Sequence, residues 1–130
     1  MKSRQNNPQN NNGFTPMHRA AFLGDVSTVN ALGGGSATND ETTNAPDNSG
    51  RTPMHFAAKR GHVDVIKALC ALGGNVNATD VDGCTPMFMA AHDGHVDIVN
   101  ALGAQGADVN ASNKEGATPM FMAAHDGHVI

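Results

Sequence analysis

The pattern Thr-Pro-Met-(His/Phe) occurs four times in this 130-residue chain, beginning at Thr15, Thr52, Thr85 and Thr118. Successive copies are 37, 33 and 33 residues apart. A fixed period of this size describes a stack of small similar units rather than one globule around a single pocket. A unit so short cannot bury its own apolar face, so neighbours must stack. An extended binding surface is therefore expected ahead of a catalytic cleft.

Each unit has the same grammar. The threonine is placed to cap a helix through its side-chain oxygen. The proline after it suits the first helical position, where its missing N–H is not needed. A short run such as Met54-His55-Phe56-Ala57-Ala58-Lys59-Arg60 follows. It is too short to be helical alone and must be held by packing. Gly24, Gly61, Gly94 and Gly127 then end the first helix, because glycine takes a left-handed backbone cheaply. A second apolar run comes next: Val65, Ile66, Leu69 and Leu72 in unit 2, and Ile98, Val99 and Leu102 in unit 3. The spacing predicts one buried helical face. Asp47-Asn48-Ser49-Gly50, Asp80-Val81-Asp82-Gly83 and Asn113-Lys114-Glu115-Gly116 read as turns, the tips of hairpin-like links.

Residues 1–12 are rich in Asn and Gln without apolar periodicity and are expected to be a disordered tail. The repeat domain is read as residues 13–130, with units at about 13–49, 50–82 and 83–115 and a partial unit at 116–130. With no Trp or Tyr, the core must come from small aliphatic side chains and Met, which predicts modest stability. The net charge of −4 argues against a nucleic-acid partner. The start, Met1-Lys2-Ser3-Arg4-Gln5-Asn6, leads into no apolar run, so it is not a secretory signal, and no stretch approaches membrane-spanning length. Two cysteines, Cys70 and Cys84, do not make a disulfide framework. The expected location is intracellular, cytoplasmic or nuclear. The sequons Asn77-Ala78-Thr79 and Asn110-Ala111-Ser112 then read as by-products of the repeat.

Taken in register, these motifs resemble the ankyrin repeat family. The signatures run Thr15-Pro16-Met17-His18-Arg19-Ala20-Ala21, Thr52-Pro53-Met54-His55-Phe56-Ala57-Ala58, Thr85-Pro86-Met87-Phe88-Met89-Ala90-Ala91 and Thr118-Pro119-Met120-Phe121-Met122-Ala123-Ala124. Gly61-His62-Val63, Gly94-His95-Val96 and Gly127-His128-Val129 match the family's start to helix two. Gly106-Ala107-Asp108-Val109-Asn110 matches its closing run, and Gly73-Gly74-Asn75-Val76-Asn77 is an altered copy. The resemblance covers residue 13 to the end. It implies an all-α solenoid of stacked helix-turn-helix units with short β-hairpin-like loops.

The chain departs from the family pattern in several places. Met stands for Leu in every signature, a nearly volume-conserving change. Phe88 and Phe121 replace the signature His, which in the family joins a hydrogen-bond network at the capping Thr. The hairpins of units 3 and 4 are therefore expected to be less rigid. Four additional residues between Gly33 and Pro46 predict that helix two of unit 1 ends early, near Leu32, followed by a floppy loop. Gly103, where the family prefers Leu, is expected to cost about 1 kcal/mol relative to Ala. Residues Thr85–Val96 and Thr118–Val129 are identical, and the sequence given stops at Ile130 without a polar cap. The expectation is a fragment of a longer array.

The pairs His92-Asp93-Gly94-His95 and His125-Asp126-Gly127-His128 suggest metal ligands. Zinc needs three or four ligands at one point, however, and equivalent positions on stacked helices are about 8–10 Å apart. No metal site is expected. Cys70 lies in an apolar run and reads as core, whereas Cys84 is expected to be exposed but unactivated. No phosphate loop, zinc-protease motif or nucleophile elbow is present, so no catalytic residue, cofactor or small-molecule substrate is expected.

The resemblance implies partner contacts at the hairpin tips and the inner face of helix one. Here the tips offer Asn48, Arg51, Val81, Asp82, Lys114 and Glu115. The inner face offers Phe22, Leu23, Lys59, Arg60, His92, Asp93, His125 and Asp126. The resulting groove would run from apolar through basic to a His/Asp half, whose binding would change between about pH 7 and 5.5. The function implied is non-enzymatic protein–protein recognition as an interaction module or scaffold, without membrane contact. The alternative is the regulatory segment of a larger multidomain enzyme or channel.

Overall fold

A computed structural model describes residues 12–34 and 40–128. Eight helices follow in order: α1 (Pro16–Leu23), α2 (Val26–Gly34), α3 (Asp40–Thr43), α4 (Pro53–Arg60), α5 (Val63–Ala71), α6 (Pro86–His92), α7 (Val96–Ala104) and α8 (Pro119–His125). There is no strand among the described residues. First helices α1, α4, α6 and α8 stack in one layer, and second helices α2, α5 and α7 stack in another. The expected tail lies outside the described residues, apart from Asn12, whose carbonyl accepts the Asn48 N–H.

Local chemistry sets each unit. The hydroxyls of Thr15, Thr85 and Thr118 accept the amide three residues on, which caps the helix. At Thr52 the hydroxyl lies instead 3.1 Å from His55 Nδ1. Gly24 has φ of 77°, and a Cβ there would lie 2.7 Å from the His62 ring, so both backbone and space require glycine. The core is a spine of Met17, Met54 and Met87 with Ala20, Ala57 and Ala90 between the first helices, joined by Val29, Ile66, Leu69, Ile98 and Leu102 from the second. Burial depends on the next unit. Met87 and Phe88 are 1% and 7% exposed, whereas Met120 and Phe121, in an identical sequence, are 59% and 57% exposed.

The hairpin tips form a second ladder. Oδ1 of Asp47, Asp80 and Asn113 each accepts two amides within its own turn. The tips are tied together by Val81 N–H donating to the Ser49 carbonyl and Lys114 N–H to the Asp82 carbonyl.

Unit 1 corrects the expectation of an early stop. Helix α2 runs to Gly34 and has nine residues, as do α5 and α7. Gly33 is not a breaker here; it is buried where a Cβ would overlap Leu72 Cδ1. Part of the expected floppy loop, residues 35–39, lies outside the described residues. The remainder forms α3, and the repeat register is restored at Asn44. Asn44 Oδ1 accepts Asn75 N–H at 2.7 Å, as Asn77 Oδ1 accepts Asp108 N–H at 2.8 Å one unit later. Thr43 then occupies the position of Val76 and Val109. It is buried, and its hydroxyl has no hydrogen-bond partner among the described residues. Thr43→Val should therefore raise the unfolding free energy by about 1 kcal/mol, read by urea denaturation. A loss of stability would show that the hydroxyl is satisfied. Gly103 has open space around it, with a Cβ coming no closer than 4.0 Å to Met87 Cε, so its cost is helical propensity and missing contact.

Candidate functional site: the first-helix face

The repeat period brings the two residues after each Ala-Ala onto one face. Neighbouring units connect there through side chains. The Arg60 guanidinium carbon lies 4.6 Å from the centre of the Phe22 ring. Lys59 Nζ is 3.8 Å from Asp93 Oδ2, and His92 Nδ1 is 2.9 Å from Asp93 Oδ1. His92 Nε2 is 3.6 Å from Asp126 Oδ2, and His125 Nδ1 is 3.0 Å from Asp126 Oδ1. Lys59, Asp93, His92, Asp126 and His125 thus form one polar track. The hydrogen bond from His125, helped by the nearby His92, holds the Asp126 carboxyl below its ordinary range.

Helix axes lie about 8–10 Å apart, but the side chains close that gap between His92 and Asp126. Among the described residues, no group of three His, Cys, Asp or Glu is arranged to hold a metal ion.

The tip residues divide. Asn48, Val81, Asp82, Lys114 and Glu115 are exposed. Arg51 is half-buried, with Nε 3.4 Å from Asp80 Oδ2, and so helps join the first hairpin tip to the second. Cys84, expected to be exposed, is buried against the core: its N–H donates to Asp80 Oδ1, its carbonyl accepts from His55 Nε2, and its Sγ sits 3.8 Å from Asn113 Nδ2. Burial pushes the thiols of Cys70 and Cys84 up, which makes them poor nucleophiles. Both cysteines are free.

Two sets of histidines hold the units in register beneath this face. Thr15 N–H donates to His18 Nδ1 at 3.0 Å, and His18 Nε2–H donates to the Arg51 carbonyl at 2.8 Å. Thr52 N–H donates to His55 Nδ1 at 3.0 Å, and His55 Nε2–H donates to the Cys84 carbonyl at 2.8 Å. Phe88 makes no such bridge from unit 3 to unit 4. In the other direction, Nε2–H of His62, His95 and His128 donates at 3.0 Å to the carbonyls of Phe22, Lys59 and His92.

At the unit 1 end, Phe14, Arg19, Phe22, Leu23 and Phe56 line an open cleft. The sequence reading named only Phe22 and Leu23 there. The available signal was the concentration of three of the five phenylalanines in residues 14–56.

Comparison with known families agrees with the architecture. A family described as ankyrin repeats (3 copies) matches residues 34–113, and a single ankyrin repeat matches residues 12–45. A comparison with curated proteins gave no match. Helix α8 lies past the matched residues, but its sequence repeats that of α6. Ankyrin repeats are generally protein–protein interaction modules and are typically non-catalytic. With its period, its stacked helix pairs and a family match over most of its length, this chain belongs to the ankyrin repeat family.

Proposed function

We propose that the chain is a non-enzymatic recognition module that binds a partner protein through the first-helix face and the adjoining hairpin tips. The supporting observation is the continuity of that face. Phe22 touches Arg60, and Lys59, Asp93, His92, Asp126 and His125 form a run of contacting side chains, so that the chain neighbours Lys59 and Arg60 join the two into one row across all four units. Such a row presents a long, chemically graded surface instead of a pocket, which suits a polypeptide ligand. Two free thiols suit a reducing, intracellular setting, and among the described residues no helix is long and apolar enough to cross a membrane.

Affinity capture with the whole chain tests this reading. The Lys59→Glu/Arg60→Glu variant should lose a specific partner that wild type and Lys67→Glu retain, since Lys67 is exposed on α5 and not on this face. Equal capture by all three would remove the first-helix face from the binding surface.

A further inference from the structure

We propose that the cleft at the unit 1–unit 2 end of the first-helix face binds an acidic peptide segment of a partner protein, which places one large apolar side chain among Phe14, Phe22 and Phe56. The inference rests on the recognition reading above and narrows it to one place and one ligand chemistry.

The floor of the cleft is aromatic. The rings of Phe14 and Phe56 meet edge-to-face at 5.3 Å, and those of Phe22 and Phe56 at 6.3 Å. His18 stacks behind Phe14 at 5.4 Å and fixes its orientation. Leu23 stands exposed at the rim, so an apolar guest has an aromatic base and an aliphatic wall.

The charge at the rim selects the rest of the ligand. Arg19, Arg51 and Arg60 are the arginines among the described residues. Arg51 is engaged by Asp80. Arg19 and Arg60 are exposed and have no carboxylate within ion-pair distance among the described residues. Both border this cleft: Arg19 lines it, and Arg60 lies over Phe22. Two guanidinium groups without a carboxylate partner among the described residues therefore stand beside one apolar cleft on a chain whose net charge is −4. Carboxylates on either side of an apolar anchor complement that pattern, and basic segments are repelled.

The experiment is selection of a phage-displayed random dodecapeptide library on the whole chain, followed by fluorescence anisotropy with the enriched peptides. The expected peptides carry Asp or Glu within a few positions of Phe, Trp, Leu or Met. Their affinity should weaken about tenfold in Arg19→Glu/Arg60→Glu, and comparably in Leu23→Asp. It should also fall as salt rises. These variants alter exposed side chains, and circular dichroism melting establishes that each is folded. Enrichment of basic or uncharged peptides, affinity unmoved by either variant, or no enrichment would overturn the proposal. So would self-association of the chain through this cleft, seen as a concentration-dependent sedimentation coefficient that Leu23→Asp abolishes. Peptides whose binding is lost only with substitutions at His92 or His125 would sink this inference and leave the broader recognition reading intact.

Discussion

Replacing His55 with alanine is expected to lower the unfolding free energy by about 3–5 kcal/mol, a large share of what a domain of this size holds. His55 is 1% exposed and acts in two units at once. Its Nδ1 accepts Thr52 N–H at the start of α4, and its Nε2–H donates to the Cys84 carbonyl just before α6. Alanine leaves the Thr52 N–H buried without a partner, leaves the Cys84 carbonyl with the Asp80 N–H alone, and opens a cavity between stacked helices. His55→Phe, which copies what unit 3 carries at Phe88, fills the volume but still leaves the Thr52 N–H unpaired, so its loss should be about half as large. Phe121→Ala, at the same place in unit 4, should cost under about 1 kcal/mol because that ring is already exposed. Urea denaturation followed by circular dichroism ranks the three. Equal losses at positions 55 and 121 would show that the bridge adds nothing beyond helix packing.

The same residues explain how far the sequence could be read. The solenoid was legible because motifs recur in register: a cap, a proline, an alanine pair and a glycine, each tied to a backbone requirement. The end of α2 was misread because the four additional residues between Gly33 and Pro46 say nothing of what packs against the helix. The close approach of Leu72 to Gly33, which keeps α2 at full length, is a contact between units. Cys84 was misread for the same reason, since its burial comes from Asn113 and the core of neighbouring units. The His92–Asp126 contact joins residues a repeat apart, and helix spacing alone does not reveal it. The inner-face positions could be aligned from the period, but which of them touch, and that Arg19 and Phe56 share a cleft with Phe22, depended on side-chain reach.

Acidification from pH 7.5 to 5 is expected to destabilise the chain well before its carboxylates titrate. Burial holds His55 below the ordinary imidazole value near 6.5. The Cys84 carbonyl and the charges of Asp80 and Asp47 pull it upward, Arg51 pushes it down, and desolvation outweighs the upward pull. His18 is lowered for the same leading reason, against the Arg51 and Ala45 carbonyls and Asp47. The sign follows from proton counting. Above about pH 6.5 both folded and unfolded chains carry these rings neutral, and the full stability is present. Below it, the unfolded chain takes up protons that the folded chain refuses, so stability falls with pH until the folded value is reached. The limiting slope for His55 is about 1.4 kcal/mol per pH unit, and His18 adds to it in the same direction. Asp25 and Asp126, held low by hydrogen bonds from Thr28 and His125, lose their contribution only below about pH 4, a separate window. The geometry gives the same direction. Protonation puts a hydrogen on Nδ1, which then faces the Thr52 N–H donor instead of accepting from it. Urea midpoints measured from pH 7.5 to 5 should therefore fall for wild type and fall less steeply for His55→Phe. Parallel slopes in the two chains would move the titrating group away from the unit 2–unit 3 bridge.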